Sequence, residues 1–456
     1  MKHFFFKKAV LILFVLTASV LWGQPSRVTS FGLDEPIEKT IVREYIALHP
    51  VTISYVETST EHLFVYNDGY LNLTPVSIDT NYSVNDFVIL DDSVYFCGEG
   101  PNGGFFGQFD IYDYYSVNQG YEVSTAVLPT ALGHVQTLNR LVAFDNASGR
   151  ELVAIGRSAT GISCVAEAQY NTTLSTWSYR VGELPPTSYD DLLDLTQTQD
   201  FVVVAGYRPN TPQVICVRLF NKHDVFSGLQ DSSFGFYHEC SFDTSQMIVS
   251  PVQGNMFLVT SYWRTTQINA QPLSNNEGTA IGYYTAVNST NTHVQHGATS
   301  IVYQPYLNGD WKLRGMTQPR STADCFFLLQ DAEVNGVSMT VSMVFDMDYN
   351  LFNPFTNSIA ISYAQDAHYQ SIDSYGVVSQ YMMNGINDIA NTKLTFCESI
   401  AGQYPCLQDS ILSKDNLTTV LARHTVESFT PTGGSMAFHT LYGTKKQLVK
   451  GIILCD

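Results

Sequence analysis

The residues best suited to chemistry are carboxylates. Asp190, Asp191 and Asp194 form one cluster, and Asp91 and Asp92 another. Glycoside hydrolysis needs two carboxyl groups about 5 to 10 Å apart across a sugar, so either cluster could supply an acid to such a site. Both also fall at strand approaches or turns, where Asp serves by accepting backbone N–H groups. Asp346, Asp348 and Asn350 alternate like the first ligands of a calcium loop, but Leu351 stands where glycine is needed and Asn357 where glutamate is needed. Cofactors are therefore expected to be none, with a looser Ca²⁺ site at that turn the one exception kept open.

Other motifs are incomplete. His238 and Glu239 begin a zinc-protease spelling that fails at Phe242, and His293 and His296 sit in a polar stretch without a cysteine at ligand spacing. Gly98-Glu99-Gly100-Pro101-Asn102-Gly103 spells GxGxxG, yet a dinucleotide site needs a helix to start there and Pro101 is followed by the strand-like GFFGQFDI. A hairpin turn is the expectation. No GxSxG elbow occurs, so a serine hydrolase has no anchor. Sialidase, tryptophan-aspartate and kelch repeat signatures are absent as well. Catalytic residues stay unassigned.

The elements that would position any site repeat. In DFVILDDSVYFCGEGPNGGFFGQFDIYD (Asp86 to Asp113), Phe87 to Leu90, Val94 to Cys97 and Phe105 to Ile111 read as strands, with Asp91-Asp92-Ser93 as a turn. Phe201 to Ala205 meets Gly206 as Val94 to Cys97 meets Gly98, Pro209-Asn210 echoes Pro101-Asn102, and Val214 to Phe220 echoes Phe105 to Ile111. Looser copies start at Leu152, Met256 and Cys325, and Lys393 to Cys397 and Thr418 to Ala422 read as two further starts. Trp177 to Val181 reads as an outer strand. Gln24 to Lys39 reads as an irregular lead-in, Asn269 to Thr279 and Asn288 to Ala298 as long polar loops, and Asp366 to Asp388 as the least patterned stretch. Gln447 to Cys455 is expected to be a terminal strand that helps to close a ring.

Lys2, Lys7 and Lys8 precede the apolar run Ala9 to Leu21, the pattern of a secretory signal peptide over residues 1–23; an uncleaved anchor is the alternative. Residues 24–456 exceed the roughly 250–300 that one ordinary core serves. No linker composition divides them, which favours a repeat array. The formal net charge of −19 makes nucleic acid and anionic membrane surfaces poor partners, and no later stretch is long and apolar enough for membrane insertion. Cys97, Cys216 and Cys325 lie inside apolar strands and read as small buried hydrophobes, while Cys397 and Cys406 are the first choice for a disulfide.

The expectation is an all-β chain: a single β-propeller of seven four-stranded blades, with six or eight as the neighbouring counts. The phrase VYFCGEGPNGGFFGQFDI resembles strands of secreted, uncharacterised β-propeller-like proteins of Bacteroidetes, over residues 84 to 113. The resemblance implies a source and a secreted, periplasmic or cell-surface location, and it implies no activity. In such a source Asp92-Ser93-Val94 and Asp409-Ser410-Ile411 look like O-glycosylation motifs. The expected function is a non-catalytic, monomeric binding module that takes a glycan or a protein at one face of the propeller. The alternatives are a glycan-active hydrolase or lyase with carboxylates at the central channel, and a structural cell-surface protein.

Overall fold

The computed structural model describes the strands between residues 25 and 455 with many of their turns, and side chains chiefly within residues 53–110, 135–183, 191–222 and 247–259. Among the described residues every regular element is a strand. Among the described residues the strands form eight four-stranded antiparallel sheets, and a two-stranded ribbon (Gln267–Ile268 with Gln271–Pro272) is inserted in the fifth. Numbered along the chain, blades 1 to 8 begin with the inner strands Ile37–Ile46, Ser83–Leu90, Val135–Asn146, Asp191–Gln197, Ser241–Pro251, Gly309–Thr317, Ala367–Ile372 and Leu421–Ser428. Each inner strand touches the inner strand of the next blade, and that of blade 8 touches that of blade 1. The chain is a β-propeller.

The count is eight sheets where seven blades were the first expectation, and the difference arises at the low-contrast stretches. Gln24 to Lys39 is no irregular lead-in: Pro25–Gly32 is a strand pairing antiparallel with Gln447–Cys455, as the outermost strand of blade 8. Pro25–Gly32 and Gln447–Cys455 thus share one sheet, which removes a free edge. Lys393 falls in the third strand of blade 7, whose second strand, Val377–Asn384, lies in the stretch with the weakest pattern. The supposed polar loops of blade 5 hold the ribbon's second strand, the start of the strand Glu277–Val287 and the first part of the strand His293–Tyr303.

Blades are buried on both faces, so their middle strands read as unbroken apolar runs. In Ser93–Gly100, Val94 and Phe96 pack toward blade 1 against Tyr55 and Phe64, while Tyr95 and Cys97 pack toward blade 3 against Leu138 and Ala154. Phe64 meets Phe87, Phe96 and Phe109 with ring centroids 5.0–5.2 Å apart, contacts of about 0.5–1.5 kcal/mol each beyond area burial. Blade 3 repeats the alternation: Leu152 and Ala154 face blade 2, whereas Val153 and Ile155 face blade 4. Cys97, Cys164 and Cys216 are buried. Cys397 and Cys406 lie outside the described residues.

Candidate functional site

The enzymatic alternative expects paired acids at the central channel. In blades 1 to 4 the inner strand bulges near its start, at Glu38, Asn85, Asn139 and Leu193. In blades 2 to 4 the second strand carries a glycine opposite the bulge. A Cβ on Gly98, Gly156 or Gly206 would lie 1.9–2.1 Å from the carbonyl oxygen of Ser83, Thr137 or Asp191. That close approach is the reason for the recurring glycine. Gly98 therefore belongs to sheet geometry, and Gly100 and Gly103 flank the Pro101-Asn102 hairpin turn, as expected from the failed GxGxxG reading.

The residue after each of these four bulges is charged, alternating in sign: Lys39, Asp86, Arg140, Asp194. Each reaches into the following blade. Lys39 Nζ donates to Asn85 Oδ1 at 2.8 Å and to Ser83 Oγ at 3.3 Å. Asp86 Oδ2 accepts the Leu141 N–H at 3.0 Å, and Asp194 Oδ2 accepts the Val249 N–H at 2.9 Å. Arg140 Nε pairs with Asp194 Oδ1 at 3.2 Å. Asn85 continues the chain of ties by donating to Thr137 Oγ1 and the Leu138 carbonyl, both at 3.0 Å.

Electrostatics follow from this packing. Burial lowers the Lys39 pKa against the opposing pull of Glu57 and Glu99. Burial raises that of Asp194, opposed by Arg140 and the Val249 N–H. For Arg140 burial works against the cation, but Asp194 and Asp86 beside it outweigh burial and raise its pKa. These carboxylates are committed to holding blades together. The expected cluster Asp190, Asp191, Asp194 is likewise divided: Asp191 binds Arg157 and accepts from Tyr207 OH at 2.8 Å, Asp194 binds Arg140, and Asp190 lies outside the described residues.

The second expected cluster leads elsewhere. Asp91, in the left-handed region with φ of 52°, lies in the turn of the first hairpin of blade 2 and forms an ion pair with Arg150 of blade 3; Asp92 lies outside the described residues. Arg150 lines a groove of about 470 Å³ between blades 2 and 3, within the usual range for small-molecule sites. One wall belongs to blade 2. Its register sets Tyr95 beside Gln108 and Ser93 beside Asp110, so all four point the same way. Asp110 Oδ1 accepts from Ser93 Oγ at 2.6 Å and Gln108 Nε2 at 3.3 Å.

The other wall is the Asn171–Thr176 turn region of blade 3, where Tyr170 pairs across the strands with Trp177. Their ring centroids are 5.2 Å apart, and Trp177 meets Tyr95 edge-on at 6.0 Å. Arg150 forms part of the lining: it grips Asp145 with two hydrogen bonds of 2.8 and 3.1 Å, donates to Tyr95 OH at 2.8 Å and lies 5.5 Å from the centre of that ring. Those bonds, Asp145 first, raise its pKa although burial opposes them. Trp177 was legible only as part of an outer strand, and Tyr95, Asp110 and Arg150 carried no local signal.

The remaining motifs resolve simply. Phe242 lies in the inner strand of blade 5, while His238 and Glu239 lie outside the described residues. His293 and His296 belong to a strand, not to a loop. Asp346 ends a strand, and Asp348 to Asn357 lie outside the described residues. Among the described residues no three His, Cys, Asp or Glu side chains are grouped to hold a metal ion.

No protein-family model matches the chain, and no curated protein sequence does. Solved structures similar to it include a putative 6-phosphogluconolactonase from Bacteroides fragilis, at 9% identity and TM-score 0.44, covering 84% of this chain and 96% of that one. The β-propeller domain of the trilobed protease from Pyrococcus furiosus is similar at 8% identity and TM-score 0.39, covering 82% and 95%. Drosophila semaphorin 2a is similar at 9% identity and TM-score 0.40, covering 95% and 75%. The propeller architecture rests on the chain's own strand pairing and ring closure.

Proposed function

We propose that the protein is an exported, monomeric, non-catalytic β-propeller that binds a glycan in the groove between blades 2 and 3. The observation that carries this reading is the groove's division into an aromatic wall, Tyr170 and Trp177, and a wall of oxygen and amide groups, Ser93, Gln108 and Asp110. Sugars present the same two faces, C–H patches and hydroxyls. The non-catalytic part is supported by the engagement of Asp86, Asp191 and Asp194 in ties to backbone amides or arginines. Export, to the periplasm, cell surface or medium of a Bacteroidetes-like source, is supported by the basic and apolar pattern of residues 1–23.

The test is to challenge the purified protein with a panel of polysaccharides and oligosaccharides, with and without Ca²⁺, following melting temperature and released reducing sugar together. A rise in melting temperature without product supports the proposal. Released product would replace it with a glycan-active enzyme. Neither response would move the assignment to a protein partner or a structural role.

A further inference from the structure

We infer that the groove between blades 2 and 3 selects an uncharged pyranose saccharide and excludes acidic sugars; this deepens the glycan-binding reading and rests on it. Among the described residues Arg150 is the one cation lining the groove, and it already makes four hydrogen bonds, two to Asp145 and one each to Asp91 and Tyr95 OH. The bidentate grip of Asp145 holds the guanidinium in one plane. Asp145 and Asp110, which line the groove with it, outnumber it, and among the described residues Asp110 is met by the neutral donors Ser93 and Gln108. A uronate or sulfate entering here meets a net negative wall, and the one cation among the described lining residues is already paired with two carboxylates.

Hydroxyl groups suit the same wall. Each can donate to a carboxylate oxygen and accept from an amide or hydroxyl, and Ser93, Asp110 and Gln108 offer both roles in one connected row. The opposite wall supplies Trp177 and Tyr170, both half-buried, as a surface for the C–H face of a ring. An organic cation also favours acids and aromatic rings, but it needs several ring faces around one point. Here Arg150 already lies over Tyr95, and Trp177 presents an edge contact to that ring. The groove is a two-walled slot and not a cage.

The test is calorimetric titration of the full chain with neutral oligosaccharides (gluco-, xylo-, manno- and chito-series), with galacturonate and glucuronate oligomers, and with tetramethylammonium. The expected result is binding of at least one neutral series, at least about tenfold tighter than any uronate. Trp177→Ala should weaken it about tenfold or more. Asp110→Asn, which keeps the shape, should weaken it about threefold to tenfold and narrow the discrimination against uronates. If Trp177→Ala lowers the melting temperature, Asp110→Asn decides the case. Neutral-glycan binding that both variants leave intact overturns the groove assignment while the glycan-binding function stands. Preference for uronates, or for tetramethylammonium, overturns the charge argument. No response to any sugar overturns both readings.

Discussion

Glu151 offers a test of the interior of blade 3. It lies on the second strand and Glu167 on the third, both only 1% exposed and on the face that packs against blade 4. Burial, then a hydrogen bond and repulsion from Glu167, push the Glu151 pKa up to about 8 from 4.5; Arg180 and the Asn146 amide pull the other way. Arg180 itself pairs with Glu167 at 2.8 Å. At neutral pH the folded protein therefore keeps a proton on Glu151 that the unfolded chain releases. Folding binds the proton, so stability falls as pH rises from about 4.5 to about 8 and is level above that.

The shift sets a ceiling of about 5 kcal/mol, and relaxation of the pair and water entry bring the expected loss to about 2–3 kcal/mol. Glu151→Gln removes the titration. Its amide can donate to Glu167 and its carbonyl accept from Asn146, as the protonated acid does. Urea unfolding at pH 5, 7 and 9 should show the variant within about 1 kcal/mol of the parent at pH 5 and about 2–3 kcal/mol more stable at pH 9. Every other titration is common to both proteins and cancels in the difference. A difference that is the same at pH 5 and pH 9 would refute the buried-proton account.

Asp86→Ala should lower stability by about 2–4 kcal/mol, because it strands the Leu141 N–H between blades; thermal melting measures this, and Asp86→Asn, which keeps an acceptor, should recover about half. Gly206→Ala should cost about 3 kcal/mol or more, since its Cβ would sit 2.1 Å from the Asp191 carbonyl oxygen; a comparable loss is expected at Gly156. Cys97 is fully buried, and burial first, with Asp86 second, pushes its thiol well up. Mass mapping after treatment of the native protein with a thiol reagent at pH 8 should find Cys97 unmodified, and urea should expose it.

Much of the architecture is local and was legible. Alternation of short apolar runs with Asp, Gly, Pro and Asn turns predicts strands such as Ser93–Gly100 and Phe201–Arg208, because strand propensity and turn chemistry act within a few residues. Even the recurring glycine of the second strand was visible, although its purpose, clearance for a bulge, was not. Counting blades was harder. Strands such as Val377–Asn384, VVSQYMMN, mix polar residues into the run, and Pro25–Gly32 is a strand by virtue of a partner more than four hundred residues away.

The site belonged to tertiary structure altogether. Asp91 and Arg150, or Tyr95 and Trp177, come from different blades, and nothing in either local segment names the other. The same holds for the alternating Lys39, Asp86, Arg140 and Asp194, whose ties depend on inner strands brought together by ring closure. Sequence by itself determined that this chain makes strands, turns and a repeating sheet, because those are decided by neighbours along the backbone. Which carboxylates are consumed as ties and which line an open groove was decided only when blade packed on blade, since desolvation and pairing are properties of the assembled interior.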